Sequence, residues 1–335
     1  MQKALISIIV PFKNTEHFLD ACLQSILDQT YTQWELLIVN DNSTDTSNAI
    51  VQTYVDRDSR VQLYKNEGNG IIEALRTGYK HARGTFITRM DSDDLIAIDK
   101  LERMQQSLLV HGPGHLALGL VQYFSKAGIG NGYKRYETWL NNLTSKGTNF
   151  DEIYKECVIP SPCWMVYKSD FDRCGGFNSD IYPEDYDLAF RFFKQGLKCI
   201  PTNDVRHHWR DYEVRTSRID AHYAENSFLE LKVNYFLELS KSKKKHLILW
   251  GAGNKGKKVA HLLIEKEIPF EWVCDNPKKI GKNIYGKFLK PFEYLNTLSN
   301  FQSIITVANH VAQVEIVQYF QKRKMTAMND YFFFC

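Results

Sequence analysis

The sequence has no long hydrophobic run. None of its 335 residues belongs to a stretch approaching the ~18 consecutive apolar residues of a membrane-spanning helix. The N-terminus also lacks the basic segment followed by an apolar segment that marks a signal peptide. We therefore expect a cytoplasmic protein. At 44% hydrophobic and 24% charged residues, the composition is that of a globular chain long enough for two domains.

Cysteine is sparse and scattered. The seven cysteines are odd in number, and no two are spaced as CxxC. This excludes a disulfide framework and a zinc knuckle as explanations of the fold, and the cysteines are interpreted as reduced thiols.

The chain also lacks a large net charge, but its charge is unevenly distributed. The total is +3, whereas the part from Lys241 onward has 16 Lys or Arg against 7 Asp or Glu, a net +9. Residues 1–240 therefore carry the difference, −6. The basic part is interpreted either as a solvated surface or as a surface that attracts a nucleotide, an acidic polysaccharide or a lipid headgroup. No nucleic-acid-binding motif accompanies it, so a nucleic-acid partner is not expected.

The N-terminal part alternates between buried strands and amphipathic helices. Strands separated by helices predict an α/β fold with a mostly parallel sheet and ligands at its carboxyl edge. The predicted strands cover 5–10, 36–39, 61–64 and a run ending at Asp91, and the predicted helices cover 16–28, 45–55 and 71–82.

Acidic and turn residues recur where these strands end. Pro11 and Asp41 follow two strands, and a third strand leads into Asp91, Asp93 and Asp94. A carboxylate cluster at a strand end is electrostatically costly without a cation, and carboxylate oxygens are ligands that Mg²⁺ and Mn²⁺ prefer. The cluster predicts a metal that holds a diphosphate. Asp94 has two interpretations, a carboxylate behind the metal ligand or a helix N-cap.

Five motifs in order resemble the family 2 glycosyltransferases. They are residues 7–14 (SIIVPFKN), 24–31 (QSILDQTY), 35–45 (ELLIVNDNSTD), 89–94 (RMDSDD) and 183–191 (PEDYDLAFR). The resemblance covers roughly residues 4–235. It implies the GT-A fold of nucleotide-diphospho-sugar transferases, a sugar-nucleotide donor, a divalent cation (Mn²⁺ or Mg²⁺) and inversion at the anomeric carbon.

The resemblance also implies roles for single residues on the donor side. Pro11 would border the base pocket, Asp41 would accept a hydrogen bond from the base, and Asp91 would face the ribose. Asp93 would ligate the metal. Arg76 is expected in the donor nucleotide site, although Leu75 and Arg76 depart from the family pattern, as do Asn40 and Asn42 around Asp41. These departures bear on base and sugar preference.

Two further clusters follow. Glu184 and Asp185 open a helical pattern, where acidic residues also serve simply to complement the helix dipole. By resemblance, Asp185 is the general base that deprotonates the acceptor hydroxyl. Residues 206–218 contain His208, which we favour over its neighbour as a metal ligand. The same segment contains Arg210, Arg215 and Arg218, which are predicted to clamp the diphosphate.

The C-terminal part carries a glycine-rich phosphate-binding pattern. We predict a transferase domain over 1–220, a linking helix over 221–242 and a Rossmann-like domain over 243–335. In the last, a strand over 246–250 leads into Gly251, Gly253 and Gly256 and then a helix, with Asp275 ending a second strand. A structural role, nucleotide or sugar-nucleotide binding, and a redox role are all open for this domain. The aromatic C-terminus, 331–335, is interpreted either as a docked terminal strand, which we favour, or as an exposed apolar contact.

The expected function is transfer of a sugar, from a UDP-sugar or related donor, to a hydroxyl of a surface glycan or lipid-linked saccharide. A membrane-bound acceptor would fit the basic part through peripheral attachment at the inner face of the plasma membrane. Two alternatives compete. A nucleotidyltransferase would need a glycine-rich first loop, and residues 11–18 contain no glycine. A non-catalytic nucleotide-binding or scaffold protein would work through the C-terminal glycine loop.

Overall fold

The computed structural model describes residues 4–213, 215 and 228–335. Its contacts divide the chain into two compact units. The first comprises the described residues within Met1–Phe150 and Val158–Ile219, and the second comprises those within Asp151–Cys157 and Asp220–Cys335. The segment 151–157 thus belongs to the second unit, although the sequence predicted one continuous domain over 1–220. The first part of the predicted linking helix, 221–227, lies outside the described residues.

The first unit is built on a seven-stranded mixed sheet. Its strands are β1 (Ile6–Phe12), β2 (Trp34–Asn40), β3 (Val61–Lys65), β4 (Phe86–Arg89), β6 (His115–Leu118), β8 (Trp164–Tyr167) and β9 (Lys198–Ile200), in the spatial order β3-β2-β1-β4-β8-β6-β9. The first four strands in this order are parallel to one another, whereas β8 runs antiparallel to both of its neighbours. The predicted parallel sheet is therefore confirmed for the strands that carry the donor-side motifs.

Helices cover this sheet. They are α1 (Glu16–Leu27), α2 (Ser47–Val55), α3 (Ile71–Lys80), α4 (Lys100–His111), α5 (Asn131–Lys146), α6 (Lys168–Arg173) and α7 (Glu184–Lys194). A 3₁₀ turn at Asn149–Glu152 includes the last residues of one segment of the first unit and the first residues of the second unit. The apolar spacing of α1 explains its placement, since Leu19, Cys22, Leu23 and Ile26 share one face and are all buried. They pack in one core with the inward side chains of β1 and β2.

Strand β1 runs further than the sequence suggested. It extends through Pro11 to Phe12, and Pro11 lies opposite Val39 of β2. A proline has no backbone N–H and is tolerated in a strand only where no ladder bond is lost. Here the pairing of β1 with β4 ends at Ile9, opposite Arg89, so Pro11 lies beyond the part of β1 that is flanked on both sides.

A small second sheet stands at the carboxyl edge of the first. It consists of β5 (Leu95–Ile96), β10 (Val205–Arg210) and β7 (Leu120–Phe124), in the order β5-β10-β7. Strand β5 begins directly after the carboxylate cluster, and β10 pairs with it antiparallel, with His207 opposite Ile96. This pairing carries the histidine–arginine segment to the acidic cluster across more than a hundred residues of sequence.

The second unit holds a six-stranded sheet of its own. Its strands are β11 (His246–Trp250), β12 (Glu271–Cys274), β13 (Asn283–Ile284), β14 (Lys287–Pro291), β15 (Phe301–Ile305) and β16 (Tyr331–Phe333). The helices of this unit are α8 (Leu229–Tyr235), α9 (Asn254–Glu265) and α10 (His310–Lys322). A π-helix at Phe236–Ser240 continues α8, and a 3₁₀ helix lies at Phe292–Thr297. The spatial order is β13-β14-β12-β11-β15-β16, and every neighbouring pair is parallel except β13–β14, which is antiparallel. The C-terminal strand is paired with β15, and Phe332 and Phe334 are buried, which confirms the predicted docking.

Within the described part of the chain, no helix is both long and apolar enough to cross a membrane.

Candidate active site

The carboxyl edge of the parallel strands carries the predicted donor-side residues. Asp41 follows β2 and is buried, and its Oδ1 accepts hydrogen bonds from Asn66 Nδ2 (2.7 Å) and from the backbone N–H of Gly70 (3.0 Å). Lys13 Nζ lies 3.7 Å from its Oδ2. Asn66 follows β3 and Gly70 precedes α3, so two strand ends and a helix start hold this carboxylate in one orientation.

The carboxylate cluster follows β4, as predicted. Asp91 Oδ1 accepts from Arg89 at 2.7 Å, and Asp93 Oδ2 accepts from the Tyr212 hydroxyl at 2.8 Å. Burial, together with the charges of Asp94 and Asp91, raises the pKa of Asp93 to about 7. Arg89 holds the pKa of Asp91 below its usual value, although burial acts in the opposite direction. The negative charge of Asp93 is thus compensated less by neighbouring positive charge than that of Asp91, which pairs with Arg89.

Asp94 is fully buried and is not a helix N-cap, since α4 begins six residues later. Its Oδ2 lies 2.9 Å from His207 Nε2, and its Oδ1 accepts the backbone N–H of Arg210 at 2.7 Å. Lys100 Nζ lies 3.4 Å from His207 Nδ1 and donates to the Pro162 carbonyl at 2.6 Å. Burial first, and Lys100 second, hold the pKa of His207 well below its usual value. Because an ammonium only donates, Nδ1 of the neutral ring accepts from Lys100, and Nε2–H donates to Asp94.

Arg210 and Arg215 both come to the acidic cluster. Arg210 Nε donates to the Asp93 backbone carbonyl at 2.7 Å, and its guanidinium lies over the rings of Phe18 (4.8 Å) and Phe124 (4.6 Å). The charges of Asp94 and Asp93 raise the pKa of Arg215 despite its burial. The structure therefore places Arg210 against the carboxylate loop, and Arg215 interacts electrostatically with the same carboxylates. Arg218 lies outside the described residues. The predicted contact of these arginines with a diphosphate stays a prediction.

The histidine that contacts the cluster is His207, whereas the sequence favoured His208. Successive side chains of a strand point to opposite faces, so only one of two adjacent histidines faces the acidic loop. His207 is fully buried against Asp94, and His208 is half-buried, with its pKa lowered by burial. Because both nitrogens of His207 are engaged by Asp94 and Lys100, this ring fixes the loop rather than offering a free nitrogen. Ligation of a metal by His208 stays a prediction.

The second acidic pair opens α7 and is joined to the cluster by Arg89. One terminal nitrogen of Arg89 donates to Asp91 at 2.7 Å, and the other donates to Glu184 Oε1 at 2.9 Å. Arg89 is only 3% exposed. Burial and the neighbouring Glu184 raise the pKa of Asp185 to about 7, while Arg89 opposes them. A carboxylate with such a pKa is suited to accept a proton near neutral pH.

Arg76 lies on α3 and is engaged with the loop that precedes α7. Its Nε donates to the Phe177 carbonyl at 2.8 Å. A terminal nitrogen donates to the Asn178 carbonyl at 2.7 Å and to Asp180 Oδ1 at 2.6 Å, and Glu73 pairs with the other. The prediction that Arg76 contacts the donor is not tested by these contacts, which show the guanidinium bound to the protein itself.

The glycine loop of the second unit has the predicted strand–loop–helix setting. A Cβ at Gly256 would lie 2.1 Å from the Gly251 carbonyl oxygen, so only glycine fits there. No described atom lies within 4 Å of the Cβ position at Gly253. Asp275 follows β12 and accepts from the Trp250 indole at 3.2 Å, and Lys279 Nζ donates to the Ala252 carbonyl of the loop at 2.7 Å. The loop is therefore tightly packed at one glycine and open at another.

The acidic cluster fits a divalent cation that is shared with a substrate. Among the described residues, no three His, Cys, Asp or Glu side chains are grouped closely enough to hold a metal ion by themselves. Mg²⁺ is commonly bound through one or two carboxylates plus substrate phosphates. Burial and the charges of Asp94 and Asp91 act together to raise the pKa of Asp93, and a bound cation would offset that repulsion. The donor set is thus suited to a metal–diphosphate pair rather than to a metal held only by protein.

Comparison with known proteins identifies the family. The sequence matches the family described as Glycosyl transferase family 2 over residues 7–175, half of the chain. The chain belongs to this family. A putative teichuronic acid biosynthesis glycosyltransferase of Bacillus subtilis, TuaG, is 34% identical over 211 residues, which are 62% of this chain and 79% of TuaG. The family match over residues 7–175 ends before Glu184 and Asp185, so it does not include the second acidic pair.

Other family 2 relatives and a solved structure extend the comparison. An Escherichia coli protein named UDP-Glc:alpha-D-GlcNAc-diphosphoundecaprenol beta-1,3-glucosyltransferase WfgD is 42% identical over 166 residues, 48% of this chain and 58% of WfgD. The alignments span only 30% to 58% of the length of the four curated relatives that match first. A mannosyltransferase from Pyrobaculum calidifontis, solved with GDP-Man and Mn²⁺, superimposes with a TM-score of 0.54 at 19% identity, covering 78% of this chain and 69% of that one. The predicted GT-A fold is confirmed.

Sequence reasoning missed three residues of the site. The partners of Arg89 lie 2 and 95 residues away along the chain, and Tyr212 and His207 reach Asp93 and Asp94 from more than 110 residues away. Arg89 is the first residue of the 89–94 motif that contains the aspartates. An arginine inside a buried strand was the available signal, because a buried guanidinium requires carboxylate partners.

Proposed function

We propose that this protein is an inverting glycosyltransferase that moves a sugar from a nucleotide-diphosphate donor, such as a UDP-sugar, to an acceptor hydroxyl. The observation that carries the proposal is the pair of acidic sites joined by one buried arginine. One site, at Asp93, has a carboxylate suited to a cation, and the other, at Asp185, has a carboxylate whose pKa of about 7 suits a base. Direct displacement needs these two functions on opposite faces of the sugar.

The donor side would be held by the carboxyl edge of the parallel sheet. Asp41, with Pro11 beside it, would face the base, and Asp91 would face the ribose. Asp93 would hold a divalent cation together with the diphosphate, and such a cation, when bound, neutralises the charge that develops on the departing diphosphate. Arg210 and Arg215 add positive charge beside the same loop. The Mn²⁺ and GDP-Man bound by the Pyrobaculum calidifontis mannosyltransferase support a metal-dependent donor site of this kind.

The acceptor side would be served by the start of α7. Asp185 takes the proton from the acceptor hydroxyl as its oxygen bonds to the anomeric carbon, and the bond from that carbon to the diphosphate oxygen breaks. Glu184 keeps Asp185 basic through its neighbouring charge. Because the nucleophile enters opposite the leaving group, the anomeric configuration inverts.

A lipid-linked or surface-glycan acceptor is the class we favour, since WfgD is named for a diphosphoundecaprenol-linked acceptor. The second unit offers a surface for the lipid. Residues 276–290 contain five lysines and no Asp or Glu, and Tyr285 (55% exposed) and Phe288 (64% exposed) project from the same segment. Basic and aromatic side chains together favour an anionic membrane surface.

Co-sedimentation with phosphatidylglycerol vesicles should be salt-sensitive and should weaken in Lys278→Glu/Lys282→Glu. Equal sedimentation of this variant would contradict the surface.

We also propose that the second unit is a Rossmann-like domain that binds a nucleotide at its glycine loop. Numbered by their appearance in the chain, its parallel strands lie in the order 3-2-1-4-5, the arrangement of dinucleotide-binding sheets. The open position at Gly253 is where such loops approach a diphosphate. Titration with NAD⁺ and with UDP-glucose tests this, because Gly253→Ala should abolish binding by the second unit without lowering stability. Binding unaffected by Gly253→Ala would leave this loop a structural role.

The transferase proposal is tested by turnover. UDP-, GDP- and dTDP-sugars are incubated with the full chain and Mn²⁺, and nucleotide release is measured with water as a surrogate acceptor. Asp185→Asn should lower turnover about 10²- to 10⁴-fold, the range expected for loss of a general base. Asp56→Asn, an exposed aspartate at the end of α2, is the matched control and should retain wild-type turnover. Equal turnover in Asp185→Asn and wild type would refute the assignment of the base.

A further inference from the structure

The two halves of the candidate site are connected through a single buried side chain. Arg89, the last residue of β4, lies two residues before the carboxylate cluster, and one of its terminal nitrogens pairs with Asp91. Its other terminal nitrogen pairs with Glu184, the first residue of α7. The guanidinium thereby ties the donor-side loop to the helix end that carries Asp185.

We propose that Arg89 is a positioning residue that fixes the Glu184–Asp185 end of α7 opposite the donor site. This inference rests on the proposed transferase function and adds a residue to it. The planar guanidinium is suited to the task, because its two terminal nitrogens reach two carboxylates in fixed directions, which an ammonium does not do.

A packing role alone does not account for this arginine. Its side chain is 3% exposed, and its Nε is buried without a hydrogen-bond partner among the described residues. Burying a guanidinium with one nitrogen unsatisfied is costly, and an apolar side chain of similar size would fill the space at no such cost. The two carboxylate contacts are what the arginine supplies and an apolar residue would not.

The charge of Arg89 also acts on the base. The charged groups that act on Asp185 are Glu184 and Asp91, which raise its pKa, and Arg89, which lowers it. Loss or displacement of the guanidinium would therefore raise the pKa of Asp185 further. If Arg89 had a purely structural role, its replacement would lower kcat equally at all pH values. The pH profile of kcat therefore separates a purely structural role from an effect of Arg89 on Asp185.

The test compares the rate of nucleotide release by Arg89→Lys and by wild type. The donor is the UDP-, GDP- or dTDP-sugar that the wild type turns over fastest. Lysine keeps a positive charge but pairs with only one carboxylate, so the charge is displaced from the other. We expect kcat to fall roughly 10²-fold, the effect of an ångström-scale misplacement. The donor KM should stay within about threefold of wild type, and the acid limb of the kcat profile should move to higher pH. Arg103→Lys, at an arginine that is 60% exposed, is the matched control and should leave all three quantities unchanged.

A second measurement does not depend on turnover. Hydrogen exchange of the backbone amides at the start of α7 should become faster in Arg89→Lys, while exchange in β2 stays unchanged. Wild-type kcat and unchanged exchange in Arg89→Lys would overturn the inference, and so would a loss of donor binding with kcat intact. If the wild type turns over no donor, the proposed function fails, and the exchange experiment still decides whether Arg89 holds the helix end.

Discussion

The pKa of Asp185 predicts how the rate of transfer depends on pH. In the folded protein this pKa is raised from 3.8 to about 7, by burial first and by Glu184 second. The base accepts a proton only when it is ionised. We therefore expect kcat to be maximal above the pKa of Asp185 and to decrease as the pH falls through it. At pH 6 about one-tenth of the molecules have the ionised base, and at pH 5 about one-hundredth. An aspartate with an ordinary pKa would stay almost fully ionised at both values.

The assay is nucleotide release from a saturating donor with Mn²⁺ between pH 5 and 9. Donor affinity must be measured at each pH as well, because burial also raises the pKa of Asp93 to about 7. Protonation of Asp93 would lower donor binding, whereas protonation of Asp185 lowers kcat at saturation. We expect kcat to fall about tenfold per pH unit below pH 7. A kcat that is constant from pH 7 to pH 5, with donor still saturating, would refute the assignment of Asp185 as the base.

Two further predictions concern stability. Gly256→Ala should lower the free energy of unfolding of the second unit by about 1–3 kcal/mol or more, because the new Cβ would lie 2.1 Å from a backbone oxygen. Gly253→Ala is the control and should be near neutral in the same urea denaturation, since its Cβ position is open. Lys100→Met should cost about 1–3 kcal/mol by leaving His207 Nδ1 and the Pro162 carbonyl without a donor. Urea midpoints equal to wild type in Gly256→Ala or in Lys100→Met would contradict these contacts.

The sequence predicted the donor-side sheet well because its signals are local. Strands β1 and β2 consist mainly of β-branched and other apolar residues, and the amphipathic spacing of α1 extends over twelve residues. In a parallel sheet, residues at the strand ends share an edge, so Asp41 and the cluster after β4 could be placed together without coordinates. The same local logic located the glycine loop after β11.

The remaining parts of the site depend on pairing between distant segments. Whether His207 or His208 faces the acidic loop is decided by the register of β10 against β5, and a shift of one residue would exchange them. The reach of Arg89 to Glu184 is decided by where α7 starts in space. Residues 151–157 pack with the second unit, and no hydrophobic periodicity in the sequence predicts this. These features follow from tertiary packing, which single-sequence patterns do not encode.

The most direct test of the central claim is to measure donor binding and turnover together in Asp93→Ala and Asp185→Asn. With the best UDP-, GDP- or dTDP-sugar donor, calorimetry should show the Mn²⁺-dependent binding lost in Asp93→Ala but retained in Asp185→Asn, and turnover should be lost in both. This result would separate a donor site that needs the cation from a base that acts only in the reaction. If no donor binding depends on Mn²⁺, and all of it survives Asp93→Ala and disappears in Gly253→Ala, the result would contradict the account and leave nucleotide binding to the second unit alone.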